Sequence, residues 1–201
     1  MLFDAVLWFA LATGTPLAAE HAGLLPKLTP FAERVGMLQQ GSELADATFR
    51  MLQPDDYAAL VARLASPGAE QAALAEVHGL LGNLADGIVT SRTKSLYSTW
   101  SKAERKGIEV VADRLATRVR VATVDECYGL LAQLHERYAH DPTEFDDYIA
   151  NPKDNGYSSI HTVLHVPTAE GVLPVEVQLR THAMHAHAES GDAAHWQYKL
   201  G

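Results

Sequence analysis

The spacing of hydrophobic residues changes in character near the middle of this 201-residue chain. Up to residue 87 the sequence is rich in Ala and Leu and is interrupted by prolines, a pattern that predicts short helices. Tyr57, Leu60, Val61 and Leu64 recur at helical spacing, so we expect an amphipathic helix whose buried face they form. A second helix is predicted from about Ala69 to Leu84, with Gly87 following its end.

Beyond residue 88 polar and apolar residues alternate, which predicts strands. The segments with this pattern are TRVRVATV (117–124), SIHTVLHV (159–166) and LPVEVQLRT (173–181), and a hairpin turn is expected between the last two. A helix capped by Asp125 should follow the first strand, and another helix should end the chain. We therefore predict a helical segment over 1–87 and an α/β body over 88–201 with a mainly antiparallel or mixed sheet.

Composition narrows the classes of partner. The 47% hydrophobic content is enough for a core, and a net charge of −9 argues against a general binder of nucleic acid or anionic membranes. The apolar stretch at residues 5–12 is too short to cross a bilayer. The one cysteine, Cys127, allows no intrachain disulfide, which fits a cytoplasmic protein, and its apolar neighbours indicate a buried helix residue.

Basic residues cluster in SRTKSLYSTWSK (91–102). If this segment is helical, Lys94, Ser98 and Lys102 lie close to one face and Arg92 lies at the helix start. Two ammonium groups and a hydroxyl near a positive helix terminus suit a polyphosphate. The alternative interpretation is an ordinary solvated basic face.

Two carboxylates lie in apolar surroundings, Asp113 in VVADRLA and Glu176 in LPVEVQL. Oxygen ligands of this kind suit Mg²⁺ bound together with substrate phosphates, although a strand with a solvated polar face explains Glu176 equally well. Further along, Asn155-Gly156 predicts a tight turn, after which Tyr157 could stack on a base. The alternative there is a plain turn with a core tyrosine.

Taken together, five ordered segments resemble the synthetase domain of RelA/SpoT alarmone synthetases. They are RTKSLYSTWSK (92–102), EFDDYIANPK (144–153), NGYSSIHT (155–162), VEVQLRTHAMH (175–185) and AAHWQYK (193–199). Residues 28–64 also resemble the helical connector that precedes this domain in long members. The resemblance implies a nucleotidyltransferase-like fold, with a five-stranded mixed sheet flanked by helices.

The resemblance also implies site residues and substrates, which are ATP and either GDP or GTP. The adenine would lie between two arginines, Arg92 and Arg118, with Lys94, Ser98 and Lys102 on the triphosphate. The carboxylates Asp113 and Glu176 would be catalytic and would hold Mg²⁺, and Glu176 would also help to activate the acceptor hydroxyl. Tyr157 would stack on guanine, and the acceptor nucleotide would be bound by Lys153, Asn155 and His161. The acidic loop is formed by Glu144, Asp146 and Asp147.

The implied activity is that of a GTP/GDP 3′-pyrophosphokinase, which makes (p)ppGpp and AMP in the stringent response. Two alternatives stay open, a toxin-type relative that modifies adenine nucleotides or tRNA, and a degenerate nucleotide-binding sensor. The negative charge argues against tRNA as the acceptor. Several residues depart from the family pattern outside the proposed catalytic positions, namely Ser91, Arg114, Ser158, Ser190 and Asp192.

Two further expectations are negative ones. The histidines at 182, 185 and 187 do not have a standard zinc spacing, so we do not expect a metal site there. Upstream of Arg92 the sequence offers only His21 and His78 as histidine ligands, too few for the Mn²⁺ site of the hydrolase domain that bifunctional relatives carry. We therefore expect no hydrolysis of (p)ppGpp.

Overall fold

The computed structural model describes residues 38–109 and 111–190. The helices are α1 (Leu38–Leu52), α2 (Pro54–Arg63), α3 (Pro67–Leu84), α4 (Leu96–Lys106), α5 (Val124–Arg137) and α6 (His182–Ser190). The strands are β1 (Ile88–Thr93), β2 (Leu115–Val121), β3 (Asp146–Asp147), β4 (Ile160–Thr168) and β5 (Gly171–Thr181). A short 3₁₀ helix spans Pro142–Glu144.

The described residues form two compact units. One contains residues 38–64 and 95–109, and the other contains residues 65–94 and 111–190. Helix α3 therefore groups with the sheet, whereas α4 groups with α1 and α2. The domain division that the sequence suggests, 1–87 and 88–201, stays a prediction for the whole chain.

Aromatic packing holds the first unit together. Phe49 of α1 is almost completely buried, and its ring lies 4.9 Å from that of Trp100 and 5.7 Å from that of Tyr57, centroid to centroid. The carboxylate of Asp46 accepts hydrogen bonds from the first backbone N–H groups of α4, which have no partner within the helix. The helix predicted from Tyr57, Leu60, Val61 and Leu64 is confirmed as α2. Its buried face is narrower than predicted, because Val61 remains 44% exposed.

The second unit is built on a five-stranded sheet with the order β1-β2-β5-β4-β3. Strands β2 and β5 pair in parallel, and all other neighbours are antiparallel. The mixed sheet flanked by helices is therefore confirmed, as is the hairpin, which turns at residues 169–170 between β4 and β5. The predicted C-terminal helix is confirmed for residues 182–190, and its remainder lies outside the described residues.

The two faces of this sheet differ in chemistry because side chains alternate along each strand. One face is apolar and carries Val119, Val177 and Leu179, all completely buried. These side chains share a hydrophobic core with residues of α3 and α5. Because α3 and α5 pack on this face, the polar side chains of the central strands are left on the opposite face.

Helix α5 begins two residues earlier than the sequence suggested. Its N-cap is Thr123, whose hydroxyl accepts from the backbone N–H of Glu126, while the Glu126 carboxylate accepts from that of Thr123. This reciprocal capping box replaces the predicted cap at Asp125, because it satisfies two free N–H groups. Cys127, one turn into the helix, is completely buried, and burial raises the pKa of its thiol to about 11. The interpretation of Cys127 as a buried helix residue is confirmed.

Candidate functional site

A cavity of about 460 Å³ opens on the polar face of the sheet. The register places Arg118 of β2 opposite Gln178 of β5, and Gln178 opposite His161 of β4. Three neighbouring strands thus present polar side chains to the same space. The cavity is lined by Arg92, Asp113, Arg118, Lys153, Asn155, Tyr157, His161, Glu176, Gln178, Arg180, Ala188 and Glu189.

The two predicted carboxylates meet in this cavity, although 63 residues separate them in sequence. Glu176 lies on β5 opposite Ala116, and Asp113 lies just before β2 begins. Asp113 contacts the ammonium group of Lys94 in an ion pair of which both side chains are largely buried. The arrangement combines carboxylate oxygens with a nearby cation, the donor set expected where a metal ion and phosphates bind together.

Glu176 is a well-supported anion. Its Oε2 accepts a hydrogen bond of 2.6 Å from Gln178 Nε2, and its Oε1 lies 3.4 Å from His161 Nδ1. Burial alone would raise the pKa of Glu176, but the interactions with His161 and Gln178 outweigh burial and hold this pKa below its ordinary value. The carboxylate is therefore ionised at neutral pH, which suits a cation ligand better than a general base.

Tyr157 lines the cavity, and the ring of Tyr148 packs against it. The hydroxyl of Tyr157 lies 2.8 Å from His161 Nε2, which links Tyr157 through His161 to Glu176. The ammonium group of Lys153 lies 4.2 Å from the ring centroid of Tyr148 and 5.6 Å from that of Tyr157. The phenol of Tyr157 is in a partly buried position, and desolvation raises its pKa. A neutral ring beside a cation suits a flat, negatively charged ligand.

The turn that presents Tyr157 requires glycine. Gly156 has a φ of +76°, a conformation that is unfavourable for residues with a Cβ. A Cβ at this position would also lie only 2.8 Å from His187 Nε2. Asn155 Oδ1 accepts from the backbone N–H of Tyr157, which fixes the chain beyond the turn. The predicted Asn-Gly turn is thus present and directs Tyr157 into the cavity.

Arginines also line the cavity. Arg92 of β1 pairs with Ala116, so it lies diagonally across from Arg118 on the same face of the sheet. Diagonal neighbours are about 7–8 Å apart, enough room for one flat ring between two guanidinium planes. Arg118 donates from Nε to Gln178 Oε1 at 3.1 Å, and burial lowers the pKa of its guanidinium. A second cavity of about 230 Å³ also contacts Arg92, Arg118 and Gln178.

The prediction that residues 91–102 form one helix is wrong at its start. Arg92 lies on strand β1, and α4 begins only at Leu96, after Ser95 caps it by accepting from the N–H of Ser98. Arg92 and Lys94 therefore do not share a helical face with Ser98 and Lys102. Pairing of β1 with β2 overrides the local spacing, because it satisfies the backbone groups of this segment with a partner about 25 residues away.

Ser98 and Lys102 lie on α4, in the first unit, whereas Arg92 and Lys94 belong to the second. The spacing Ser98 to Lys102 is helical as predicted, with Ser98 exposed and Lys102 partly buried. Their proposed contact with a triphosphate stays a prediction. Among the sequence candidates, the residues that share one cavity are Arg92, Asp113, Arg118, Lys153, Asn155, Tyr157, His161 and Glu176.

The acidic loop does not line the cavity. Glu144 ends the 3₁₀ helix and is exposed, and Asp146 pairs with His161 through the short strand β3. Asp147 accepts hydrogen bonds from the Tyr128 hydroxyl and from the backbone N–H groups of Ile149 and Ala150. Within the described residues, Asp147 therefore shapes the turn that leads towards Tyr157.

The sequence missed two buried residues of the site. Gln178 and Arg180 follow Glu176 at two-residue intervals on β5, so all three project from the same face. Arg180 is only 1% exposed, and it donates to His185 Nδ1 at 2.8 Å. The two-residue period of side chains along a strand, applied from Glu176, would have identified both residues. A buried guanidinium at this position adds positive charge to the cavity, alongside Arg118.

Three further features concern the residues that depart from the family pattern, metal-binding groups and membrane-spanning helices. Of the departures from the family pattern, Arg114 pairs with Glu70 of α3, and Asp192 lies outside the described residues. Across residues 38–109 and 111–190, no group of three or more His, Cys, Asp or Glu side chains is arranged to hold a metal ion. In that same part of the chain, no helix combines the length and apolarity needed to cross a bilayer.

Comparison with known proteins gives a consistent match. A family model described as a region found in RelA / SpoT proteins matches residues 91–201. The GTP pyrophosphokinase of Haemophilus influenzae is 41% identical over 180 residues, which is 86% of this chain. The GTP pyrophosphokinase of Escherichia coli K12 is 40% identical over 182 residues, again 86% of this chain. The chain spans 24% of the length of each of these curated relatives.

Solved structures match the same fold. The small alarmone synthetase 1 of Bacillus subtilis superposes with a TM-score of 0.57 and 27% identity, over 66% of this chain and 78% of that one. A second crystal structure of that synthetase, bound to its product pppGpp, gives a TM-score of 0.56 and 28% identity over the same shares of both chains. These similarities agree with the mixed sheet described above.

Proposed function

The chain belongs to the RelA/SpoT family, and we propose that it transfers pyrophosphate from ATP to the 3′-hydroxyl of GDP or GTP. One observation carries this proposal. The polar face of the sheet brings the ring of Tyr157, several arginines and two carboxylates together in a single cavity. Two nucleotides that must react with each other need one site that offers groups for both bases and brings their reacting phosphate and hydroxyl together.

On this proposal ATP binds beside Arg92 and Arg118. Arg92 and Arg118 stack on the two faces of adenine, and the diagonal spacing of these residues supports that role. Lys94 leaves Asp113 to contact the triphosphate, since a polyphosphate offers the ammonium group more negative charge than one carboxylate.

The guanine nucleotide binds beside Tyr157. Tyr157 stacks on guanine, and the cation of Lys153 beside it attracts the phosphates of GDP or GTP. His161 lies between Tyr157 and Glu176, and Asn155 fixes the turn, so that the acceptor ribose is held next to the carboxylate. Reaction then requires the 3′-oxygen to attack the β-phosphorus, with AMP as the leaving group.

The residues present fit Mg²⁺. Asp113 and Glu176 offer oxygen ligands, and the low pKa of Glu176 keeps its carboxylate in the form that binds a cation. When bound, Mg²⁺ offsets the negative charge that develops on the transferred group. Glu176 and His161 orient the attacking hydroxyl by hydrogen bonding, and the guanidinium groups exclude water from the donor base. The nucleotide substrates and the single buried thiol fit a reaction in the cytoplasm.

The activity itself is the first expected result. Purified protein supplied with ATP, Mg²⁺ and either GDP or GTP should form AMP and (p)ppGpp in equal amounts, and omission of any one component should stop both products. Separation of the labelled nucleotides by chromatography measures this. An equal rate with adenine acceptors would favour the toxin-type alternative, and binding of nucleotides without any turnover would favour the degenerate sensor.

The second expected result separates the two subsites. Tyr157→Ala should weaken binding of GDP roughly tenfold, because stacking of a base on an aromatic ring is worth about 1–3 kcal/mol. The same variant should bind a non-hydrolysable ATP analogue as the wild type does. Arg92→Ala should show the opposite pattern.

Isothermal titration of each variant with each ligand tests this separation. Val172→Ala is a suitable control, because Val172 of β5 is 61% exposed and does not line the cavity. Equal losses of both ligands in both variants would show that the donor and acceptor subsites are wrongly assigned.

A further inference from the structure

A buried ion pair between Glu70 and Arg114 lies next to the contact between Lys94 and Asp113. Glu70 on α3 is only 8% exposed. Its carboxylate accepts two hydrogen bonds from one guanidinium, from Arg114 Nε at 2.6 Å and from Arg114 Nη2 at 3.0 Å. This two-pronged geometry fixes the orientation of the guanidinium plane as well as its position.

The guanidinium of Arg114 has a further nitrogen, and it reaches the main chain of Lys94. Arg114 Nη1 donates to the carbonyl oxygen of Lys94 at 2.7 Å. In return, the backbone N–H of Lys94 donates to the carbonyl oxygen of Arg114, also at 2.7 Å. Arg114 is therefore hydrogen-bonded to both the backbone N–H and the backbone carbonyl oxygen of Lys94. Asp113 immediately precedes Arg114, so the same residue fixes both members of the pair that faces the cavity.

We infer that the Glu70–Arg114 ion pair positions Lys94 and Asp113 for binding of metal-bound ATP. Stability alone is a weak explanation for this pair, since buried ion pairs often contribute no more than apolar residues would. The fixed direction of the hydrogen bonds in this pair offers a better explanation. Glu70 orients Arg114, and Arg114 holds the backbone of Lys94 in place. The side chain of Lys94 can then rotate from Asp113 to a phosphate while its backbone stays fixed.

Glu70 and Arg114 are positioning residues on this account, because neither lines the cavity. The consequence for ATP rests on the proposed function, whereas the anchoring of Lys94 does not. Groups that orient metal ligands typically change metal affinity or activity about 10–100-fold when they are replaced. Loss of this pair should therefore act on the ATP side of the cavity and leave the Tyr157 side unchanged.

The test uses three variants. Glu70→Gln weakens the hold on the guanidinium, and Arg114→Lys keeps the charge but loses the fork that reaches both Glu70 and Lys94. Glu76→Gln is the matched control, since Glu76 lies on the same helix and forms an exposed pair with Arg137 at 3.3 Å. Each protein is compared by amide hydrogen exchange at Lys94, by thermal unfolding, and by titration with a non-hydrolysable ATP analogue plus Mg²⁺ and with GDP.

In Glu70→Gln and Arg114→Lys we expect faster exchange at the Lys94 amide and about tenfold weaker binding of the Mg²⁺–ATP analogue. Affinity for GDP should stay at the wild-type value, and Glu76→Gln should match the wild type in all the binding measurements. Wild-type exchange and wild-type analogue binding in both pair variants would overturn the inference. So would equal losses for the analogue and GDP, because these would indicate a general loss of structure.

The two proposals fail in different ways. If the wild type forms no (p)ppGpp but Lys94 exchange still responds to Glu70→Gln and not to Glu76→Gln, the proposed reaction is wrong and the anchoring of Lys94 stands. If the wild type is active and both pair variants exchange and bind as it does, the reaction stands and the positioning role is wrong. Should Glu70→Gln fail to fold, Arg114→Lys gives the same comparison with the buried charge retained.

Discussion

Glu176→Gln should lower kcat for (p)ppGpp synthesis about a thousandfold or more while the fold remains intact. The substitution keeps the size of the side chain but removes its charge. Stabilisation of a transferring group by a bound metal is worth several kcal/mol, and each 1.36 kcal/mol changes the rate tenfold. The structure adds a reason, since His161 and Gln178 keep Glu176 ionised in a partly buried place. Asp113→Asn should have a similar effect.

Steady-state rates over a range of Mg²⁺ concentrations, together with circular dichroism, measure this effect. Glu136→Gln, the same substitution at an exposed position on α5, provides the control. A variant that turns over near the wild-type rate would remove Glu176 from the site. A variant that recovers its rate at high Mg²⁺ would assign Glu176 to metal affinity rather than to the reacting groups.

Leu134→Ala should cost about 2–5 kcal/mol of the free energy of unfolding, which is the usual range for a fully buried leucine. Leu134 is 0% exposed and lies in the core that α5 shares with the apolar face of the sheet. The cavity is on the opposite face. Below the unfolding temperature, KM for ATP and for GDP should therefore change little.

Urea unfolding followed by circular dichroism gives this free energy. Leu84→Ala is the comparison, because Leu84 in the last turn of α3 is 38% exposed and buries less surface. Equal costs for the two substitutions would mean that α5 does not pack on the sheet as described. A large rise in either KM would mean that packing on the apolar face of the sheet affects nucleotide binding on the polar face.

The sequence was a good guide wherever structure depends on local spacing. Alternation of side chains predicted β4 and β5, and Asn155-Gly156 predicted the turn that presents Tyr157. Both signals depend on residues close in sequence. The ordered motifs also identified the family. The cavity lining could be extended by periodicity alone, since Gln178 and Arg180 lie on the same face as Glu176.

Local spacing failed where pairing between distant residues decides the structure. The interval from Lys94 to Lys102 fits a helix, yet Arg92 lies on a strand because β1 pairs with β2. The meeting of Asp113 and Glu176 could be stated only from the resemblance, since no spacing rule connects residues so far apart. The same holds for Arg114, whose partner Glu70 lies 44 residues earlier, on α3.

The parallel pairing of β2 with β5 has a consequence for how the site forms. Strand β2 supplies Arg118, and β5 supplies Glu176 and Gln178. Residues that face each other across these two strands are about 60 positions apart in the sequence. Contacts between such distant segments form slowly, because the chain must first lose the entropy of closing a long loop. As the polypeptide leaves the ribosome, α5 and the β1–β2 pair can form before β5 is available. Assembly of the proposed Mg²⁺ site, in which Glu176 of β5 joins Asp113, should therefore be one of the last steps in the folding of a newly made chain.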